Sequence, residues 1–149
     1  MKEFTSLPTP AFVVDEGLLE RNLEILQEVA RASGAKILLA QKAFSMFYAY
    51  PMIARYLAGS TASGLYEARL GKEHFPGEVH VFSPAYREEE FTQLLQYADH
   101  FVFNSPKQLE KYARRVREAG KQVGLRVNPE CSTQEGHAIY DPCAPGSRL

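Results

Sequence analysis

The sequence has no charge excess, no disulfide framework and no run long enough to cross a membrane. Seventeen lysines and arginines face eighteen aspartates and glutamates, for a formal net charge of -1. That balance removes the broad basic footprint by which proteins hold nucleic acid or an anionic membrane, and leaves room only for a local anion site. The two cysteines, Cys131 and Cys143, have eleven residues between them, without the paired C-x-x-C spacing of a zinc site, and two are too few for a disulfide scaffold. They read as reduced thiols of a cytoplasmic protein. No stretch approaches the roughly 18 apolar residues of a membrane helix, and the opening M-K-E-F-T-S-L-P-T-P has no apolar signal core. What is present is 149 residues, 45% hydrophobic and 23% charged, the make-up of a globular domain with enough apolar material for a core.

Along the chain, short apolar runs alternate with helical periodicity. Residues 11–15, A-F-V-V-D, read as a strand, and Asp15 as the cap of a helix from Glu16 to Ala32 that Ser33-Gly34 ends. Lys36 to Ser45, K-I-L-L-A-Q-K-A-F-S, holds a buried parallel strand that delivers Lys42 into a turn. An aromatic-rich helix is expected over Tyr48 to Ala58, ended by Gly59, then a very short strand over Gly59 to Ala62 and a helix from Leu65 to Glu73 capped by Ser63. The pattern repeats in the strand Glu78 to Phe82 with a helix from Arg87 to about Ala98, and in the strand His100 to Phe103. There Asn104, Ser105 and Pro106 open a helix to Ala119 that Gly120 closes. Val123 to Val127 is the last clear strand.

The strand ends Lys42, Ser63, Ser83, Asn104 and Arg126 are spaced by 21, 20, 21 and 22 residues. This is a βα repeat, and it implies a parallel sheet with right-handed crossovers, either a barrel or an open doubly wound sheet. Five strands do not close an eight-stranded barrel, which usually takes about 250 residues, and the 23 residues after Arg126 leave no room for three more units. The chain is therefore an open five-stranded α/β protein or the amino-terminal piece of something longer. The last nineteen residues, loop chemistry without a closing element, favour the piece.

Lys42 stands where such folds keep their chemistry, at the carboxyl end of a strand. A lysine there among apolar neighbours suits an amine nucleophile toward a carbonyl, and equally a surface lysine laying its stem along the strand end. Arg126 occupies the equivalent place on the fifth strand, with a salt-bridged barrel arginine as the plain alternative.

T-P-A-F-V-V-D-E, L-L-A-Q-K-A-F-S, T-A-S-G-L-Y-E-A-R-L-G, V-F-S-P-A-Y, F-V-F-N-S, G-L-R-V-N-P-E and Y-D-P-C-A-P-G-S-R-L resemble, in order and spacing, the carboxynorspermidine (carboxyspermidine) decarboxylases. These are a polyamine-pathway branch of the pyridoxal-phosphate enzymes with the alanine racemase-like barrel, relatives of ornithine and diaminopimelate decarboxylases. The resemblance covers nearly the whole chain. It implies the amino-terminal part of a (β/α)8 barrel with about five βα units, residues 16–149, preceded by a strand within residues 1–15 that pairs with a carboxyl-terminal β-domain absent from this chain. It implies loss of the α-carboxylate of carboxynorspermidine or carboxyspermidine to give norspermidine or spermidine, a polyamine-type amino acid as substrate and a homodimer at full length. In the match, Lys42 forms the Schiff base with pyridoxal 5'-phosphate, Arg126 lies near the cofactor ring, Ala62 and Ser63 are a strand-end pair facing the cofactor, and Glu67 supports that shell.

The alternatives are another pyridoxal-phosphate decarboxylase or racemase of the same fold, and a non-catalytic α/β fragment. For Ser63 a helix cap, and for Glu67 an exposed first-turn glutamate, explain the residue types as well. His74, His80, His100 and His137 share no metal-ligand spacing, so no metal site is expected. Phe44, Phe47, Tyr48 and Tyr50 wall a pocket or pack a core. The resemblance puts the ring-stacking histidine, the glycine-rich phosphate loop, the acid that holds the pyridine nitrogen and the catalytic cysteine beyond Leu149, so that residues 1–149 alone are expected to fold poorly and to be inactive.

Overall fold

A computed structural model describes residues 7–132 and 140–144. Five strands, β1 (Leu38–Ala40), β2 (Gly59–Ala62), β3 (Glu78–Phe82), β4 (His100–Phe103) and β5 (Gln122–Leu125), form one sheet in the order β1-β2-β3-β4-β5. Every pairing is parallel. That order decides between the two architectures left open by the repeat. A doubly wound sheet reverses its strand order at a switch point and carries helices on both faces. A sheet in strict chain order, with crossovers of one hand, carries all its helices on one face, as a barrel wall does.

The helices follow from local chemistry. In α1 (Glu16–Ser33), the Asp15 side chain accepts from the Leu18 N–H at 3.0 Å, and Gly34 takes the left-handed conformation at φ 71° that ends the helix. In α5 (Pro106–Glu118), Ser105 accepts from the Gln108 N–H at 3.3 Å and Pro106 fills the first turn, where its missing N–H costs nothing. Between them lie α3 (Leu65–His74) and α4 (Glu88–Tyr97).

One core joins the helix-side residues of β2, β3 and β4 (Ala62, Val79, Val81, Phe101, Phe103) to Ala68, Phe91, Leu94, Tyr112 and Val116 of α3, α4 and α5. Phe91 is its centre: fully buried, stacked on Tyr112 at 4.1 Å between centroids and tilted against Phe101 at 5.5 Å. A second core places Leu23, Tyr50, Ile53, Leu57 and Phe75 under Ile37 and Leu39. The alternate residues Glu78, His80 and Phe82 of β3, and His100 and Val102 of β4, turn to the other face, where they stay half-buried. Neighbouring strands meet closely: a Cβ on Gly59 would lie 2.1 Å from the Glu78 carbonyl oxygen, so only glycine fits where β2 enters beside β3.

Three expectations need correction. The helix expected over Tyr48 to Ala58 is a 3-10 turn, Phe47–Ala49, and a single α-turn, α2 (Tyr50–Ile53). Gly59 does not end it but opens β2, and the Ala58 N–H already donates to the Ile37 carbonyl at 3.0 Å, so the chain must straighten there to join the sheet. The strand expected over Val123 to Val127 runs Gln122–Leu125. Residues 11–15 form no strand with the described elements, since none of the five strands pairs with this segment and Phe12 is 99% exposed; the β-domain expected to pair with it is not among the described residues.

Apolar side chains are left in water at the margins. Leu18, Ile25 and Val29 of α1 are more than half exposed, as is Val127 past the end of β5. At about 25 cal/mol per Å² of apolar surface, covering them favours association. The isolated 149-residue chain is therefore expected to give a light-scattering mass above the monomer that rises with concentration. A species holding at 16.8 kDa over a hundredfold concentration range, roughly 2.7 kcal/mol of mass action, would contradict it.

Candidate active site at the carboxyl edge of the sheet

The carboxyl ends of all five strands lie along one edge, and the sequence-derived candidates fall there. Lys42 stands two residues past β1 in a turn closed by the Ala43 and Phe44 N–H groups on the Ala40 carbonyl, at 3.0 and 3.2 Å. Its side chain is exposed, and its Nζ makes no hydrogen bond or ion pair among the described residues. Arg126 directly follows β5. Its backbone N–H extends the ladder to the Phe103 carbonyl at 2.8 Å, and its half-buried guanidinium lies 5.8 Å from the Phe82 ring centroid. Phe82 belongs to the face opposite the helices, so Arg126 does as well. Arg126 donates to Asn104 Oδ1 at 3.5 Å and to the Pro142 carbonyl at 3.2 Å. Both acceptors are neutral, and among the described residues no carboxylate is within salt-bridge distance of this guanidinium. The salt-bridged alternative for Arg126 thus fails among those residues.

Ala62, Ser63 and Glu67 form a short linked unit at the end of β2. Ala62 is buried in the main core, so its side chain faces the helices and its backbone is what it presents to the edge. Ser63 does not cap α3 through its hydroxyl. The N-cap is Gly64, and the bond runs the other way, from the Ser63 N–H to Glu67 Oε2 at 2.7 Å. A carboxylate in the first helical turn reaching back to a free N–H satisfies an orphan donor and sits at the positive end of the helix. This leaves the Ser63 side chain exposed at the edge. In the next loop Tyr86 ties β3 to β4. Its hydroxyl donates to the Val102 carbonyl at 3.0 Å and accepts from the Ser83 N–H at 3.1 Å, while burial pushes its pKa well above the ordinary phenol value.

Of the aromatic cluster, Tyr50 is wholly buried and Phe44 packs in the second core. Phe47 and Tyr48 are exposed, stacked at 5.1 Å between centroids. The cluster divides between core and surface.

The histidines behave differently from their spacing. His80 and His100 are register partners on β3 and β4, with rings stacked at 3.9 Å and 8°. Together with Glu78 they present three ligand-type atoms within 4.8 Å of one another on the face opposite the helices. The 20-residue separation, one repeat period, was the signal for this pairing. Nearly parallel rings send their in-plane lone pairs along parallel lines rather than to one point, and the Lys36 ammonium already holds Glu78 Oε1. The group is therefore an ion-pair cluster. Hydrogen bonds from Lys36, then from His80 at 3.0 Å, hold the Glu78 carboxyl down at about 2, and burial followed by the neighbouring His80 charge pushes His100 below its ordinary value.

No family model matches the chain. Among curated proteins, it is 40% identical over 145 residues to the carboxyaminopropylagmatine decarboxylase of Synechocystis sp.. It is 38% identical over 146 residues to the carboxynorspermidine/carboxyspermidine decarboxylase of Campylobacter jejuni, and 36% over 143 to that of Herminiimonas arsenicoxydans. These alignments take in 96 to 98% of this chain and 37 to 38% of the relatives, so the chain spans under two-fifths of their length. The solved carboxynorspermidine decarboxylase of C. jejuni, complexed with norspermidine, superposes with a TM-score of 0.80 over 87% of this chain and 35% of that one, at 38% identity. A D-threonine aldolase from Filomicrobium marinum superposes at 0.70 with 16% identity, a likeness of fold alone.

The acid limb of the stability curve tests the ion-pair cluster. The folded pKa of Glu78 lies below its unfolded value of 4.5, so its contribution is complete above pH 4.5 and is lost as pH falls toward about 2. His100, also depressed, favours the folded state when neutral, so stability falls as pH drops below 6.5. Glu78→Gln is expected to lower the urea midpoint at pH 7 and to flatten the loss between pH 4.5 and 2. An unchanged acid limb in that variant would show that the cluster contributes nothing.

Sequence identity, strand order and superposition agree, and the chain is a homologue, over under two-fifths of their length, of the carboxynorspermidine/carboxyspermidine decarboxylases.

Proposed function

We propose that this chain is the Lys42-bearing portion of a pyridoxal-phosphate-dependent carboxy-lyase acting on an α-amino acid with a polyamine tail, of the carboxynorspermidine or carboxyspermidine type. The observation that carries the reading is Lys42 itself: an exposed amine with no partner among the described residues, at the carboxyl edge of a barrel-type sheet. The edge suits the cofactor, because the Lys42 amine matches an aldehyde and the Arg126 guanidinium, which meets only neutral oxygens among the described residues, matches an anionic ring oxygen. When bound, pyridoxal phosphate supplies an aldehyde that takes up amines and a ring that accepts the electron pair left when a carboxylate departs as carbon dioxide.

The chain's own residues hold and orient. The Lys42 Nζ would hold the cofactor through its aldehyde and would give place to the amine of the substrate. Arg126, propped on Asn104 and the Phe82 ring, would donate to an anionic oxygen of the cofactor, and its planar fork is what a lysine there would lack. Glu67, by holding the Ser63 N–H, fixes the β2 end, which would support the cofactor's shell. The carboxyaminopropylagmatine, carboxynorspermidine and carboxyspermidine names of the relatives share one reacting group, a carboxylate to be removed from an aminopropyl-bearing amine, and that shared class is the substrate assigned here. The reading includes a homodimer and a cytoplasmic location, the latter supported by two unpaired cysteines and by the lack, among the described residues, of a helix long and apolar enough to cross a membrane.

In the full reading frame containing this chain, borohydride is expected to fix the cofactor onto the peptide bearing Lys42. Lys42→Ala should lose both the label and nearly all carbon dioxide release from carboxynorspermidine. A Lys42→Ala enzyme that still decarboxylates would end the assignment. Arg126→Ala should weaken cofactor affinity by about tenfold or more, roughly the 1.5–3 kcal/mol of a charged hydrogen bond. Its melting temperature should move little, and equal losses of both would return Arg126 to a structural role.

A further inference from the structure

We infer that Gln41 is the positioning residue for Lys42, locking the end of β1 into the helix layer so that the next side chain must emerge at the carboxyl edge; this rests on the function proposed above. Gln41 is 2% exposed, a polar side chain inside a core that holds only Ser60 as its polar companion among the described residues. Burying a primary amide without partners costs several kcal/mol, so its bonds show what the structure gains by keeping it.

They reach three different elements. The Gln41 Nε2 donates to the Glu67 carbonyl in the first turn of α3 at 2.9 Å and to the Thr61 carbonyl of β2 at 3.3 Å, with Ser60 Oγ at 3.4 Å. Its Oε1 accepts from the buried Tyr50 hydroxyl of α2 at 3.1 Å. The Gln41 backbone N–H meanwhile donates to the same Thr61 carbonyl at 3.3 Å. The residue beside Lys42 is thus held by α2, β2 and α3 at once, and through Glu67 it is joined to the Ser63 N–H at the same edge.

An independent feature of α3 fits the same purpose. Gly71 lies inside the helix, where glycine is less favourable than alanine. A Cβ at that position would lie 2.6 Å from Ser60 Oγ and 3.0 Å from Gln41 Nε2. The glycine leaves the space that the Gln41 amide occupies. Methionine at 41 would keep the length and apolar bulk of the side chain while removing every one of its hydrogen bonds, so it separates anchoring from packing.

The test uses the full reading frame, with pyridoxal phosphate as the probe and borohydride labelling of Lys42 as the readout, alongside kcat and KM. Gln41→Met is compared with Leu94→Ala, which hollows the other core without touching this network. Gln41→Met should slow labelling and lower kcat by roughly tenfold to a hundredfold, the scale of a misplacement near 1 Å, with KM little changed. Leu94→Ala should lower the melting temperature at least as much with labelling intact. Tyr50→Phe, which deletes one bond of the set, should fall between wild type and Gln41→Met. Labelling undiminished in Gln41→Met, or lost only in step with melting temperature as in Leu94→Ala, overturns the assignment of Gln41 alone. A wild-type enzyme that takes no label at Lys42 overturns the decarboxylase reading, and the role of Gln41 with it. If Gln41→Met does not fold, Tyr50→Phe and Gly71→Ala decide by the same labelling-against-stability comparison, and normal labelling in both overturns the proposal.

Discussion

Parallel pairing between strands that follow one another in the chain requires a crossover each time, and crossovers of one hand put every helix on the same side. Most of the rest of this structure depends on that constraint. It fills the helix face with Val79, Val81, Phe101, Phe103 and their partners, and it brings the carboxyl end of every strand to one edge. It also turns the alternate residues, Glu78, His80, His100 and Phe82 among them, toward a side that no helix covers among the described residues. Lys42 and Arg126, 84 positions apart, share an edge because four repeats of about 21 residues separate the first strand from the fifth.

The two faces handle polarity in opposite ways. On the helix face the polar groups are few and fully satisfied: Gln41 and Ser60 are the buried polar residues, and among the described residues no buried side-chain polar atom lacks a hydrogen bond. On the other face charge is tolerated because it is paired. Lys36, His80 and His100 surround Glu78, and their attraction outweighs what half-burial takes from the carboxylate. At the edge beyond them the pairing stops: Lys42 has no partner among the described residues, and Arg126 leans on neutral oxygens. Cationic groups that no described carboxylate pairs, beside an interior whose described polar groups are satisfied, suit a binding edge for an anionic, carbonyl-bearing molecule.

Where strand and helix signals were local, the sequence was readable nearly to the residue. β3 and β4 fall where alternation placed them, and the caps Asp15 and Ser105 act as their side chains allow. The misreadings share a cause. Gly59 looks like a helix terminator until β3 lies against it, and Ser63 looks like a cap until Glu67 takes its N–H. Gln41, one polar residue in an apolar run, could be weighed only after Tyr50, Thr61 and Glu67 converged on it.

Periodicity, capping and the strand-end lysine are properties of contiguous residues, so they were already written in the chain: a βα repeat, its direction, and an amine where such repeats carry chemistry. Strand order, the stacking of His80 on His100, the neutral surroundings of Arg126 and the buried amide behind Lys42 join residues about 10 to 26 positions apart. A repeat in sequence is compatible with either a barrel wall or a doubly wound sheet, because helical periodicity says which residues are buried but not which face of the sheet buries them. Only the packing of every helix on one side resolved that ambiguity and turned a row of strand ends into a site.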